Sequence, residues 1–171
     1  MVDDRLGLYS SPPGNPSKEE EVMRIPEICT TEVVCCRPQA SALDAARLMR
    51  HKHVGDVVVV SDPEGDRVPV GVVTDRDLTI EVLGNGRDAA QTTLSDVMRS
   101  PVVVATESED ASSVLERMRF HGVRRIPVVD ARGTLVGIVT LDDLLRALLS
   151  DMQTLLASQT KAQRREQSSR R

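Results

Sequence analysis

The chain is built from two copies of one pattern. An offset of 69 residues places Ile25–Val60 on Leu94–Val129, with apolar residues falling on apolar residues. The offset then drops to 66, because the turn around EGDRVPV carries three more residues than its counterpart around ARGTLV. Turns rich in Gly, Asp and Pro are where a hairpin tolerates insertion. The internal repeat therefore predicts a duplicated fold.

Each copy has the same predicted order: a strand, a helix, two strands joined by a turn, and a second helix. The hairpin strands alternate only weakly, which predicts strands covered on both faces. A unit of about 55 residues is small to be stable alone. The predicted fold class is therefore α+β, with tandem β-α-β-β-α repeats packed sheet to sheet in pseudo-twofold symmetry.

The predicted elements follow from apolar spacing and turn residues. The strands are Glu32–Cys36, Val57–Val60 and Val68–Val73 in the first half, and Val102–Ala105, Ile126–Val129 and Leu135–Val139 in the second. The helix between the first two strands has apolar residues at Leu43, Ala46, Leu48 and Met49 in one half and at Val114, Leu115 and Met118 in the other. Ser41 and Asp110 are the candidate N-caps.

Composition limits the functional classes. Tyr9 and Phe120 are the only aromatic residues, so the interior must be built from aliphatic side chains. No apolar run approaches the roughly 18 residues of a membrane span, and the acidic N-terminus does not resemble a signal peptide. We therefore expect a cytoplasmic protein. The net charge of -4 argues against general nucleic-acid binding. We interpret the basic tail as a solvated helix end: Lys161, Arg164, Arg165, Arg170 and Arg171.

Three cysteines are clustered in one short stretch, at Cys29, Cys35 and Cys36. Adjacent cysteines on a strand point to opposite faces, so a bridge between Cys35 and Cys36 would be strained. With His51 and His53 nearby a metal site is conceivable, but no C-x-x-C spacing supports it. We expect small buried apolar residues and no metal site.

The phrases GVVTDRDL (from Gly71) and GIVTLDDL (from Gly137) occupy equivalent positions at a predicted strand-to-helix junction. Thr74 suits an N-cap, and acidic residues in the first turn suit the helix dipole. The same geometry can serve a ligand, because a helix N-terminus offers N–H groups to a phosphate and an aspartate can accept hydrogen bonds from a ribose diol. Both interpretations remain open from the residues alone.

These phrases, together with HKHVGDVVVVSD and HGVRRIPVVDARGTLV, resemble the cystathionine-β-synthase (CBS) domain, two of which form a Bateman module. The resemblance covers about Ile25–Leu149. It implies an adenosine-containing ligand in the clefts between the units: AMP foremost, with ADP, ATP, NAD or S-adenosylmethionine as alternatives. The Asp of T-x-x-D would hold the ribose, and the Thr and nearby basic residues the phosphate. It also implies flat, disc-like dimers.

Carried over to this chain, one cleft uses Thr74, Arg76 and Asp77, with Arg124 and Arg125 of the other half across it. Several guanidiniums could then face a phosphate as charge-assisted donors. Surface solvation is the alternative role of Arg124 and Arg125. Backbone around four further residues would frame the base: Thr31, Val33, Val57 and Val58.

The second cleft uses Thr140 and Asp143. Asp142 stands there in place of Arg76, and Gly55 and Asp56 in place of the two arginines. Because two extra carboxylates repel a phosphate, we predict that this cleft is empty, weak, or taken by a less anionic adenosyl group.

The predicted organisation is a flexible arm (1–24), a first CBS domain (25–83), a linker (84–93), a second CBS domain (94–149), and a helical extension with a basic tail (150–171). One leucine-rich stripe runs beyond the repeat and would cover the neighbouring half or a second subunit. Its members are Leu141, Leu144, Leu145, Leu148, Leu149, Met152, Leu155 and Leu156.

No nucleophile elbow, Walker loop, GxGxxG motif or metal-ligand set occurs in the sequence, so we do not expect an enzyme or a catalytic cofactor. The expectation is a freestanding regulatory module. One hypothesis is a homodimeric sensor that binds an adenine nucleotide and changes its shape or its affinity for an unknown effector protein. The alternative is a dimeric scaffold that works without a ligand.

Overall fold

The computed structural model describes residues 23–62, 64–150 and 152–153, and its first half follows the predicted order. The elements are α1 (Ile25–Ile28), β1 (Cys35–Cys36), α2 (Ala42–Lys52), β2 (Asp56–Val60), β3 (Pro69–Thr74) and α3 (Asp75–Asp77), which continues as a π-helical segment, Leu78–Leu83. The strands form one three-stranded sheet in the order β1-β2-β3, with β1 parallel to β2 and β2 antiparallel to β3.

The second half repeats this architecture. A 3-10 turn (Leu94–Asp96) leads to a second three-stranded sheet with the same strand order and the same directions. Its elements are β4 (Ala105–Thr106), α4 (Ala111–His121), β5 (Arg125–Val129), β6 (Leu135–Thr140) and a helix α5 over residues 141–150. The predicted α+β class with tandem β-α-β-β-α repeats is confirmed.

The first strand of each half is shorter than predicted, with two residues in β1 and two in β4. Before β1 the chain turns, since the Val33 N–H donates to the Thr31 carbonyl at 3.0 Å instead of extending the ladder. Before β4 the Val104 carbonyl accepts a hydrogen bond from the Arg117 guanidinium at 2.5 Å. The predictions of longer strands at Glu32–Cys36 and Val102–Ala105 were wrong.

Both predicted N-caps are confirmed. The Ser41 hydroxyl accepts from the Asp44 N–H at 3.0 Å, and an Asp110 carboxylate oxygen accepts from the Ser113 N–H at 2.8 Å. The core faces of the helices differ in part from the prediction. Ala46 and Leu115 are exposed, because the buried stripes run through Ala42, Ala45 and Met49 on α2 and through Val114 and Met118 on α4.

The two halves exchange their leading segments. Ile25 is fully buried, but it packs in the core of the second half beside Val114 and Ile126. Leu94, its repeat equivalent, is fully buried in the core of the first half beside Met49. Backbone bridges follow the same exchange, Arg24 with Asp110 and Thr93 with Ser41, then Thr30 with Ile138 and Arg99 with Val72. Each core is therefore closed by a segment of the other repeat.

This exchange explains why both phrases begin with a glycine. A Cβ on Gly71 would lie 2.5 Å from the Met98 sulfur, and one on Gly137 would lie 2.9 Å from the Cys29 sulfur and 3.1 Å from the Thr30 carbonyl oxygen. Met98 and Cys29 belong to the exchanged segments. The glycines leave room for the other repeat, not for a ligand.

The two sheets face each other across a shared apolar cluster. Val58 and Val60 of β2 pack there with Leu135 and Ile138 of β6. Four of the five residues in β2 and in β5 are buried, which confirms the prediction of strands covered on both faces. The Leu135 N–H also donates to the Arg67 carbonyl at 2.9 Å, so a hydrogen bond crosses between the halves. The predicted sheet-to-sheet packing is confirmed.

Helix α5 presents an apolar face to solvent. Leu144 is buried in the core of the second half, whereas Leu145, Leu148 and Leu149 are about half exposed, as is Met152 beyond them. Leu155 and Leu156 of the predicted stripe lie outside the described residues. The described part of the stripe thus does not cover the neighbouring half, and a second subunit remains as its predicted partner.

Candidate functional site: a cleft between the halves

The T-x-x-D phrase forms a capping box at the start of α3. The Thr74 N–H and hydroxyl donate to Asp77 Oδ2 at 3.0 and 2.7 Å, and the Asp77 N–H donates back to the Thr74 hydroxyl at 3.1 Å. This pairing satisfies two of the free backbone donors at the helix start and places the carboxylate at the strand-to-helix corner. The structural role predicted for the phrase is confirmed.

A cleft of about 340 Å³ opens beside this corner, between the two halves. Its volume lies in the range of small-molecule sites, which run from roughly 300 to 1,000 Å³. The predicted polar residues Thr74, Arg76, Asp77, Arg124 and Arg125 all line it. The structure therefore brings these five together although they come from different repeats.

Sequence reasoning missed one cation in this cleft. Arg99 lines the cleft, and its Nε lies 3.4 Å from Asp77 Oδ1. Its side chain is 66% exposed, whereas that of Asp77 is 10% exposed. Arg99 reaches the corner because its segment is exchanged and bridges to Val72 of β3. Only the exchange of leading segments places Arg99 at this corner, and the sequence alone does not reveal that exchange.

Arg125 is held differently from the prediction. Its guanidinium forms a hydrogen-bonded ion pair with Asp56, and both side chains are mostly buried. Burial raises the pKa of Asp56; Arg125 opposes this rise and nearby Asp75 adds to it. Because residues 56 and 125 are repeat equivalents, the pair lies on the pseudo-twofold axis. Arg125 is therefore paired with a carboxylate and mostly buried, whereas Arg76, Arg99 and Arg124 are exposed.

The four residues predicted to frame the base do not line this cleft. Val57 and Val58 are fully buried in apolar clusters, and Val33 packs against the cluster between the sheets. Thr31 is exposed in the turn before β1. The segment that precedes a first strand and lines this cleft comes from the second half (residues 101–103), whereas Asp77 belongs to the first half. Its apolar walls are Val72, Pro101, Val102, Val103 and Val123.

The second corner has the same local geometry. The Thr140 N–H and hydroxyl donate to Asp143 Oδ2 at 3.0 and 2.6 Å. Asp143 Oδ1 accepts from Arg146 at 3.3 Å, a residue of its own helix. Asp142 is exposed at the position that Arg76 occupies in the first half. The two corners thus share the capping box and differ in the charges around it.

The cysteines lie at separate points of the fold. Cys36 is buried in the first core, Cys29 packs against Gly137, and the Cys35 thiol accepts a hydrogen bond from Arg67 at 2.9 Å. Burial raises the pKa of the Cys36 thiol and, in the same way, that of Cys29. Both are held as neutral thiols. The prediction of small apolar residues describes Cys36 well, and Cys35 less so.

With the fold and the cleft defined, comparison with known proteins identifies the class. The CBS domain family model matches residues 25–84 and again residues 94–150. The chain belongs to the CBS domain family and carries two CBS domains, a regulatory module.

Relatives differ in how much of their length is matched. The chain is 33% identical over 120 residues to an uncharacterized protein of Methanopyrus kandleri, covering 70% of this chain and 60% of that one. It is 35% identical over 120 residues to the CBS domain-containing protein YhcV of Bacillus subtilis, covering 70% and 81%. The inosine-5′-monophosphate dehydrogenase of Mycobacterium tuberculosis is 30% identical over 127 residues, which is 74% of this chain and 22% of that enzyme. The likeness to that enzyme is thus confined to a minor part of it.

Solved structures share the same fold. The hexameric CBS-CP12 protein from bloom-forming cyanobacteria is 31% identical with a TM-score of 0.64, covering 72% of this chain and 70% of that one. The CBS domain pair of protein MJ0100, in complex with 5′-methylthioadenosine and S-adenosyl-L-methionine, is 24% identical with a TM-score of 0.67, covering 76% and 98%.

Among the described residues, no helix combines the length and the hydropathy that crossing a bilayer requires. The cytoplasmic location stays a prediction from the sequence.

Proposed function

We propose that this protein is a sensor module that binds an adenine nucleotide, AMP foremost, in the cleft at Asp77. One observation carries the proposal: a cleft of ligand size combines a carboxylate at a helix start with four arginines from both repeats, of which Arg76, Arg99 and Arg124 are exposed. A ribose diol needs an acceptor and a phosphate needs cations, and this cleft supplies both.

The proposed roles follow from position. Asp77 would accept hydrogen bonds from the ribose hydroxyls. The phosphate would receive charge-assisted hydrogen bonds from Arg76, Arg99 and Arg124. The apolar walls on the opposite side would cover the adenine. MJ0100 holds adenosyl compounds on the same fold, but at 24% identity that likeness concerns the fold alone. The proposal therefore rests on the cleft residues of this chain.

The second corner would bind the same ligand more weakly. Its acidic residue Asp142 stands where the first cleft has Arg76, and its partner half supplies Gly55 where the first cleft has Arg124. Carboxylates near a phosphate repel it, by up to about 1 kcal/mol for exposed charges 4 Å apart in water. We expect one tight site per chain for a nucleotide monophosphate.

Calorimetric titration with AMP, ATP, NAD and S-adenosylmethionine tests the proposal. Asp77→Asn keeps an acceptor oxygen for the capping box but removes the charge that a ribose diol would use. We expect AMP affinity to fall roughly 10- to 100-fold, the value of a hydrogen bond to a charged group. No binding of any adenosyl compound to the natural chain would refute the function.

The chain provides a matched control for this variant. Thr93 and Asp96 form another capping box, in which Asp96 Oδ2 accepts from the Thr93 N–H and hydroxyl at 3.0 and 2.7 Å. Asp96 does not line the cleft. Asp96→Asn should therefore leave AMP affinity unchanged, and an equal loss in both variants would mean that capping, not ligand contact, is responsible.

A dimeric scaffold remains the alternative function. Its support is the exposed apolar surface on the second helices of both halves, at Ile80 and Leu83 in the first half and at Leu148 and Leu149 in the second, all of them 47–72% exposed. We propose that these surfaces meet a second copy of the chain. Sedimentation velocity with and without AMP separates the functions: a dimer unaffected by AMP, together with no heat of binding, would favour the scaffold.

A further inference from the structure

Both oxygens of the Asp77 carboxylate already have partners. Oδ2 accepts from the Thr74 backbone and hydroxyl, which fixes the corner, and Oδ1 faces Arg99 Nε at 3.4 Å. Because both lone pairs of Oδ2 are in use, a ribose diol that donates from both of its hydroxyls needs both lone pairs of Oδ1, and it gains them by displacing Arg99. The Arg99 side chain is 66% exposed, so it can move without disturbing the core.

Displacement changes the charge balance of the cleft. While Arg99 rests on Asp77, each charge compensates the other. When a ribose takes Oδ1, the guanidinium loses this anion in a cleft that is also lined by Arg76 and Arg124, which repel it, and by one other carboxylate, Asp75. A ligand with a phosphate next to the ribose restores the balance, because Arg99 can transfer from the carboxylate to the phosphate. A neutral or cationic ligand offers no such partner.

We propose that Arg99 is the specificity-determining residue of this cleft, and that it selects ribonucleotides carrying a phosphate over neutral or cationic adenosyl compounds. This inference rests on the proposed function and names its ligand class. Arg99 forms an ion pair with Asp77 in the free protein and with the phosphate in the complex, so that ligand binding exchanges one ion pair for another.

The second corner lacks this exchange. Thr30 stands at the position equivalent to Arg99, bridging to Ile138 of β6 as Arg99 bridges to Val72 of β3. Asp143 Oδ1 is instead covered by Arg146, one turn along the same helix. Thr30 is uncharged, so it cannot form an ion pair with a phosphate. Selection by charge is therefore a property of the Asp77 cleft.

Titration of AMP and of adenosine, the latter by competition where it is weak, tests the exchange. In Arg99→Gln we expect AMP affinity to fall about 10-fold, as for loss of one charge-assisted hydrogen bond. Adenosine affinity should rise by up to about fivefold, because an exposed ion pair no longer opposes it. These opposite signs are the signature of the exchange.

Two further variants control for bulk charge. Arg87 is exposed and does not line the cleft, so Arg87→Gln should change neither affinity. Arg76 lines the cleft without contacting Asp77, so Arg76→Gln should weaken AMP and leave adenosine without a gain. If Arg99→Gln gains no adenosine affinity while AMP still binds the natural chain, the exchange is refuted and the nucleotide function stands. If the natural chain binds neither compound, the function is refuted and the exchange with it.

Discussion

Ile25→Ala tests the exchange of leading segments. Ile25 precedes every strand of the first half, yet its side chain is 0% exposed and packs with Val114 and Ile126 of the second. The substitution removes three carbons, worth about 0.8 kcal/mol each in transfer free energy. The cavity adds to this, giving about 2–5 kcal/mol of lost unfolding free energy. At about 2–4 °C per kcal/mol for a chain of this size, Tm should fall by roughly 4–20 °C.

Urea denaturation followed by circular dichroism measures the loss, and amide hydrogen exchange locates it. The rate of amide hydrogen exchange should rise more in α4 and β5 than in β2, because Ile25 packs in the core of the second half. Leu94→Ala, the repeat equivalent, should reverse that order. Leu115→Ala, 41% exposed on α4, is the control and should cost under about 1 kcal/mol. A loss below about 1 kcal/mol for Ile25→Ala would refute the exchange of segments.

Three other predictions concern local features. His53 ends α2 with φ 55°, where its equivalent Gly122 has φ 63°, so His53→Gly should raise the unfolding free energy by about 0.5–1 kcal/mol; a loss in denaturation curves would contradict this. Hydrogen bonds from the hydroxyl of Ser112 and the backbone of Ser113 lower the pKa of Asp110 from 3.8 to about 2. Its contribution is thus complete above the unfolded value and lost as pH falls through the folded value, so Asp110→Asn should flatten the decline in stability between about pH 5 and pH 2. Gly71→Ala should cost about 1–3 kcal/mol in the same assay, because the new methyl meets the Met98 side chain, and a neutral result would contradict the close approach.

The elements of the fold were predictable because each depends on local spacing. Period, caps and turns placed α2, α4 and both hairpins close to their observed positions, and Ser41 and Asp110 cap as expected. The exchange was not predictable. A repeat offset shows that Ile25 and Leu94 are equivalent, but not which core each one fills. Short apolar segments such as α1 fit either core equally well by composition.

The residues of the candidate site also fall into those that a local pattern predicts and those that depend on the exchange of leading segments. Thr74 and Asp77 were found because a capping box is a pattern of adjacent residues, whereas Arg99 depends on the exchange. The ion pair formed by Arg125 could have been predicted from the sequence. It carries a charge opposite to that of Asp56, its repeat equivalent, and equivalent positions near a pseudo-twofold axis are the ones that can meet. Opposite charges at equivalent positions in a duplicated chain therefore predict an ion pair on the axis.

Duplication separates what builds the corner from what could give it a ligand. Both halves keep the threonine and aspartate of the capping box with nearly the same distances, which helix initiation alone requires. The charged residues around them differ. The first cleft has Arg76, Arg99 and Arg124 where the second has Asp142, Thr30 and Gly55, and it also has Asp75 and Arg125 where the second has Leu141 and Asp56. Arg76, Arg99 and Arg124 are all exposed, so none of them belongs to the packed core. The shared residues therefore explain the helix start, and an anionic ligand would give these three exposed arginines a common role.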